Sequence, residues 1–119
     1  MKVSEDNFHK SCVRWLKLQY PELLFHHSPN GGKRNRIEAA KFKAMGTKSG
    51  CPDLMIFKRS SDYVGLAIEL KVGKNTTTDN QEDFMNKLEE NGWCCVVAYT
   101  IDVFMNAVNN YLKPQTIFK

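Results

Sequence analysis

Two short apolar segments of the sequence each carry a carboxylate, and the second segment also carries an amine. Asp53 follows Pro52 at the start of the first segment, and Glu69 and Lys71 lie two residues apart in the second. Side chains alternate between the two faces of a strand, so Glu69 and Lys71 point the same way. Two neighbouring carboxylates suit a hard cation such as Mg²⁺, which prefers oxygen ligands, and an adjacent lysine suits a phosphate. The pattern predicts metal-dependent cleavage of a phosphodiester bond.

Each of these residues has an expected role in that chemistry. Asp53 and Glu69 hold the metal, and the backbone carbonyl oxygen of Leu70 is a third candidate ligand because Mg²⁺ also binds carbonyl oxygens. Lys71 contacts the phosphate and supports the transition state; action as a base would require burial or cationic neighbours that favour loss of its proton. The alternative is that the strands present these charges to solvent, with a salt bridge between Glu69 and Lys71.

The elements that position these residues follow from hydrophobic periodicity and from capping signals. Helices are expected near residues 5–19, 35–45, 79–91 and from 101 onward, and strands near 23–27, 54–57, 66–72 and 93–99. This order predicts an α/β fold with a mixed central sheet flanked by helices, whose last two strands are parallel. The third helix begins with a capping box between Thr78 and Gln81, and Phe84 and Leu88 are its expected buried residues.

Length and composition limit the classes of function. The 119 residues are 42% hydrophobic and 25% charged, which is typical of one globular domain over residues 1–119. No apolar run approaches the ~20 residues of a membrane span, and the N-terminus lacks the apolar segment of a secretory signal. The four cysteines form no C-x-x-C pair, which favours reduced thiols in the cytoplasm over a zinc site or disulfides. The three histidines form no recognisable metal motif and are expected to pack at a strand end or face solvent.

The positive charge of the chain is concentrated in one segment. Residues 31–48 contain six basic residues and one acidic residue, whereas the whole chain has a net charge of +4. A polyanion-binding surface requires such a patch, and a solvated loop and helix face is the alternative. The candidates for phosphate contacts are Lys33, Arg34, Arg36 and Lys48, the last of which directly precedes the segment that ends at Asp53.

Four short motifs occur in order along the chain: Glu5, Gly50-x-Pro52-Asp53, Glu69-x-Lys71 and Gln81. Together they resemble the PD-(D/E)XK nuclease superfamily, and more closely its VRR-NUC family of virus-type replication-repair nuclease domains. The resemblance extends from residue 4 to about residue 99 and implies a restriction-endonuclease-like core. It also implies that Glu5 contributes to the metal site and that Gln81 takes part in catalysis. Glu5 has stabilisation of the helix N-terminus as an alternative role, and catalysis by Gln81 competes with capping for one amide.

The same resemblance implies a DNA endonuclease that depends on Mg²⁺, with Mn²⁺ as a substitute. The chain is similar to the stand-alone phage and bacterial members of the family, which resemble dimeric Holliday-junction resolvases. We therefore expect a homodimer, in a bacterial cell or phage-infected host, that cuts four-way junctions or other branched DNA. The sequence contains no evident base-reading element, which favours structure selectivity. A non-catalytic nucleic-acid-binding module on the same fold and a sequence-specific restriction-type endonuclease are the alternatives.

Overall fold

The structure is a computed structural model that describes residues 4–29 and 35–113. Helices and strands occur in the predicted order, which confirms the α/β class. The helices are α1 (Glu5–Gln19), α2 (Arg36–Ala44), α3 (Asp79–Glu90) and α4 (Ile101–Leu112). The strands are β1 (Phe25–His27), β2 (Leu54–Ile56), β3 (Gly65–Leu70) and β4 (Trp93–Ala98).

The four strands form one mixed sheet in the order β1-β2-β3-β4. The pairs β1–β2 and β2–β3 are antiparallel, whereas β3 and β4 are parallel, as predicted from the crossover that contains α3. All six residues of β3 are buried, because β3 has a partner strand on each side and helices over both faces. The central strand that carries Glu69 is therefore the best-shielded element of the described chain.

The apolar core lies between one face of the sheet and the helices α1 and α4. Alternate residues of β3, namely Leu66, Ile68 and Leu70, point into this core. The helices contribute the buried residues Phe8, Cys12, Leu16, Phe104, Val108 and Tyr111. The residues of β3 between them, including Glu69, face the opposite side, where α3 packs against the sheet.

Two expectations about individual elements need correction. The buried residue of α3 is Met85, and the predicted Phe84 and Leu88 are only half-buried, because their side chains line a groove between α3 and α2. Strand β3 ends at Leu70 rather than Val72, although the N–H of Lys71 still donates to the carbonyl oxygen of Ala98 (3.0 Å).

Helix α2 lies at the surface. None of its residues, all of which the structure describes, is fully buried, and Ile37 is 81% exposed. Among the described helices, none combines the length and apolar character that a membrane crossing requires.

Candidate active site

The register of the sheet brings Asp53 and Glu69 together. Leu54 is the partner of Ile68 in the antiparallel pair β2–β3, so the residue before Leu54 lies opposite the residue after Ile68. The N–H of Leu70 donates to Oδ2 of Asp53 at 2.8 Å. Leu54 and Ile68 form the last backbone pair of β2 and β3. Beyond this pair, the carboxylate of Asp53 rather than a backbone carbonyl accepts from β3, and this hydrogen bond holds the carboxylate against the strand.

The N-terminus of α1 supplies a third carboxylate. Carboxylate oxygens of Glu5, Asp53 and Glu69 all lie within 4.8 Å of one another. Ser4 caps α1 by accepting a hydrogen bond from the N–H of Asn7 (3.0 Å), which fixes the turn that carries Glu5. Glu5 is itself exposed, so it contributes a side chain from the rim of the site rather than from its interior.

Glu69 is a buried carboxylate with incomplete compensation of its charge. The residue is 2% exposed, and its Oε1 has no hydrogen-bond partner among residues 4–29 and 35–113. Burial, followed by the negative charge of Asp53, raises the pKa of Glu69 from its usual 4.5 to about 8, against the opposing charge of Lys71. Buried polar atoms normally have partners, so the orphaned oxygen requires an explanation.

A divalent cation fits this arrangement. Three carboxylates converge, one of their buried oxygens has no protein partner, and carboxylate oxygens are the ligands that Mg²⁺ takes in proteins. A cation would also remove the repulsion that Asp53 exerts on Glu69. The residues that would hold it are Glu5, Asp53 and Glu69, and a contribution from the Leu70 carbonyl remains a prediction.

Gln81 makes its capping and site contacts at the same time. Its Oε1 accepts from the N–H of Thr78 (2.9 Å), and its own N–H lies 3.2 Å from the Thr78 hydroxyl, which confirms the capping box. Its Nε2 donates to Oε2 of Glu69 at 2.9 Å. The two contacts do not compete, because the amide oxygen caps the helix and the amide nitrogen binds the carboxylate. Catalysis by Gln81 stays a prediction.

Lys71 lies at the same oxygen of Glu69. Its Nζ is 3.7 Å from Oε2, and the residue is 8% exposed. The expected salt bridge between the two residues is therefore present, and it is buried rather than solvated. Among the described residues, the ammonium faces a site with an excess of negative charge.

Gly50 holds the loop before Asp53 against the start of α3. Its φ of +93° is favourable only for glycine, and an added Cβ would collide with the carbonyl oxygen of Asn80. A hydrogen bond from Asn80 Nδ2 to the Ser49 hydroxyl (3.2 Å) reinforces the contact. The glycine of the Gly50-x-Pro52-Asp53 motif thus sets the distance between Asp53 and the helix that carries Gln81.

Two histidines lie closer to the site than their sequence context indicated. His27 is exposed at a strand end, as expected, but its Nδ1 is also 3.0 Å from the carbonyl oxygen of Asp53. The ring of His9 meets the ring of His27 edge to face, with centroids 4.3 Å apart. Burial and then the neighbouring His27 lower the pKa of His9, whereas Asp53 and Asp6 act in the opposite direction. Glu5 and His9 are four residues apart, which places them on the same face of α1, and this spacing is the sequence signal that could have placed His9 near the site.

The predicted phosphate-binding residues are only partly described. Arg36 begins α2 and Lys48 precedes Gly50, and both side chains are exposed. Lys48 and Lys43 line the groove between α2 and α3, whose volume is about 940 Å³. Lys33 and Arg34 lie outside the described residues.

Comparison with known proteins identifies the family of the chain. The family model of the VRR-NUC domain matches residues 3–101. A solved structure titled VRR_NUC domain protein is 34% identical to this chain and superposes with a TM-score of 0.81, covering 95% of this chain and 91% of that chain. Among curated proteins, none matches. The resemblance drawn from the four motifs is confirmed, and the chain belongs to the VRR-NUC family, with a nuclease-type fold.

Proposed function

We propose that the protein is a divalent-metal-dependent DNA endonuclease that hydrolyses phosphodiester bonds. The observation that carries the proposal is the buried carboxylate of Glu69, whose Oε1 has no partner among the described residues while two further carboxylates lie within 4.8 Å. Burial makes ionisation of this carboxyl costly, as its raised pKa indicates, unless a cation offsets the charge. Membership of the chain in the VRR-NUC family supports nuclease chemistry at this site.

The three carboxylates are held in the site in different ways. Asp53 is held by the backbone of β3 and Glu69 by the amide of Gln81, so both present a fixed oxygen, whereas Glu5 adds its carboxylate from the helix end. Together with the Leu70 carbonyl they would hold Mg²⁺, or Mn²⁺ in its place. When bound, the cation supplies activation of water and neutralisation of charge at phosphorus.

Lys71 is the cation that the chain itself brings to the reaction. Its Nζ lies 3.7 Å from Oε2 of Glu69, and both residues are buried. An ammonium fixed in such a place stabilises the negative charge that develops on the phosphate oxygens in the transition state. We assign Lys71 to positioning of the phosphate and charge stabilisation. Gln81 acts through Glu69, whose orientation it fixes.

The substrate is proposed from charge and from symmetry. The exposed Arg36 and Lys48 are the proposed contacts for the DNA backbone, and contacts of this kind carry no sequence information. Lys33 and Arg34, which lie outside the described residues, are further candidates from the sequence. We extend the proposal to four-way-junction or other branched DNA and to a homodimer, because symmetric cutting of a junction needs two sites and one chain supplies one. A cytoplasmic location is part of the same proposal.

The test is a cleavage assay on labelled single-stranded, duplex, flap and four-way-junction DNA in Mg²⁺, Mn²⁺ or EDTA. The isosteric change Glu69→Gln removes the charge, and we expect it to lower the rate at least about a hundredfold, in the range that loss of a preorganised charged group gives. The exposed Glu22→Gln is the matched control and should cut as the wild type does. Binding without cutting in every metal would instead support a non-catalytic module, and metal-dependent cutting by Glu69→Gln at the wild-type rate would remove the proposed site.

A further inference from the structure

A groove of about 910 Å³ lies at the carboxyl ends of the parallel strands β3 and β4. It is bordered by the first turns of α1, by the segment after β3 and by the start of α4. Asn7, which lines the groove, is two residues from Glu5, and Val72, which also lines it, follows Lys71 directly. The groove therefore lies at the same end of β3 as the carboxylates and the ammonium, on the side of the sheet toward α1 and α4.

An aromatic ring is held in place at this groove with part of its surface uncovered. Tyr99 is 41% exposed, and its hydroxyl donates to the backbone carbonyl of Asn75 at 2.7 Å. The hydrogen bond fixes the outer end of the side chain, and its backbone directly follows the last residue of β4. A large exposed ring with a restrained position loses little freedom when a base stacks on it, and stacking on such rings is a sequence-tolerant way to bind bases.

The other groups on the groove suit the remaining parts of a nucleotide. The side-chain amides of Asn7 and Asn75 are exposed, and neither makes a hydrogen bond within the described part of the chain. Each amide offers donors and an acceptor, as the edge of a base requires. Lys74 adds an exposed ammonium, which makes no ion pair with the described residues and suits a phosphate.

We propose that this groove binds an unpaired nucleobase of the cleaved strand, next to the scissile phosphate. The proposal rests on the proposed nuclease function and adds to it a site for a base. A base stacked in a duplex cannot reach a pocket beside the backbone unless it leaves the helix, which costs a few kcal/mol and least where the strand is already unpaired. A flap or other branch with a single-stranded arm supplies such a nucleotide, so the groove gives the chain a means to prefer branched DNA of that kind.

The experiment is a double-mutant cycle in which one change is a substitution in the protein and the other is removal of one base from the DNA. Flap substrates carry an abasic analogue at each nucleotide around the cleavage point in turn, and affinities are measured by fluorescence anisotropy in EDTA, where no cutting interferes. Wild-type protein should lose affinity about tenfold at one position, as expected for loss of one stacked base. Tyr99→Ala should show the same loss with the intact DNA and no further loss at that position, because coupled groups are not additive.

The controls separate the groove from general effects on folding and binding. Tyr63→Ala removes a ring of similar exposure (43%) that precedes the opposite end of β3, and it should retain the wild-type dependence on the base. Ser11→Trp fills the groove from the exposed face of α1 and should reproduce the loss seen with Tyr99→Ala. Circular dichroism establishes that each variant is folded.

The outcomes distinguish the groove from the nuclease. Additive losses in Tyr99→Ala, or no position at which the base matters, overturn the groove even if the wild type cuts DNA in Mg²⁺. Coupling between Tyr99 and one base supports the groove even if no divalent metal supports cutting. Failure to bind any of the substrates overturns the groove, and the cleavage assay in Mg²⁺ then decides the nuclease separately.

Discussion

At the scale of single residues, Glu69 is the residue whose protonation depends most on whether a metal is bound. Gln81 and Lys71 both contact its Oε2, and Oε1 is buried without a hydrogen-bond partner in the described part of the chain. The raised pKa of about 8 means that the metal-free protein holds a proton on this carboxyl at neutral pH. Binding of a metal must therefore displace a proton, since ionised carboxylates are the ligands.

This linkage predicts the pH dependence of stability in EDTA. Below pH 4.5 the carboxyl of Glu69 is protonated in both the folded and the unfolded chain, and between 4.5 and about 8 the unfolded chain loses the proton that the folded chain keeps. The contribution of Glu69 to the free energy of unfolding is thus full at low pH and is lost as pH rises to about 8. Across this window, we expect the Tm of the wild type to fall about 5 °C more than that of Glu69→Gln, measured by thermal unfolding.

Addition of Mg²⁺ supplies the internal control for that comparison. The cation binds the folded state and favours the ionised carboxylate, so it should raise the Tm more near pH 8 than near pH 5. Glu69→Gln should respond less at both pH values. Parallel Tm curves for the two proteins in EDTA would contradict the raised pKa.

At the scale of elements, the site depends on three local contacts that fix distances between elements. The register of β2 on β3 places Asp53 opposite Glu69, the capping box of α3 directs the amide of Gln81 toward Glu69, and Gly50 lets the loop touch α3. The first and third contacts depend on backbone geometry, and the second joins the side chains of Gln81 and Glu69 because the capping box fixes the position of Gln81. Small backbone shifts should therefore affect catalysis before they affect folding.

Gly50 and Gly46 allow the contact with α3 to be tested separately from backbone strain. Both have positive φ, +93° and +104°, but only Gly50 has a neighbour, the carbonyl of Asn80, in the space of an added Cβ. Both changes to alanine should cost about 1 kcal/mol or more of stability from strain. Gly50→Ala should in addition lower kcat at a temperature where it remains folded, because Asp53 moves relative to Gln81. Thermal unfolding and single-turnover cleavage measure the two effects, and equal kcat values for the two variants would contradict the role of the contact.

The elements also show what could be predicted from sequence and what could not. The order of elements, the parallel β3–β4 pair and the capping box follow from periodicity and local signals, which act within a few residues. The choice of Met85 over Phe84 as the buried residue of α3, and the contact of His27 with Asp53, depend on how elements dock. Docking is set by packing among distant segments, so local patterns do not contain it. For the same reason, the sequence could not predict that the amide oxygen of Gln81 caps the helix while its amide nitrogen binds Glu69.

At the scale of the whole molecule, charge is divided between two regions. The carboxylates converge at the strand ends, whereas residues 31–48 hold six of the basic residues against one acidic residue. Where it is described, this segment lies at the surface, and α2 has no fully buried residue to restrain it. Under the proposed function, the basic surface holds the DNA backbone while one phosphate enters the acidic site, where a bound cation would offset the repulsion.

This division predicts how affinity for DNA responds to salt. Lys48 is exposed, makes no ion pair with the described residues, and lies outside the carboxylate cluster. If it contacts one phosphate, Lys48→Ala should weaken binding of every DNA by a similar factor and reduce the slope of log K against log salt by about one. Lys17→Ala, an exposed change in the last turn of α1, is the matched control and should leave the slope unchanged. Anisotropy titrations in EDTA at several salt concentrations give both slopes, and an unchanged slope for Lys48→Ala would place the DNA backbone elsewhere on the molecule.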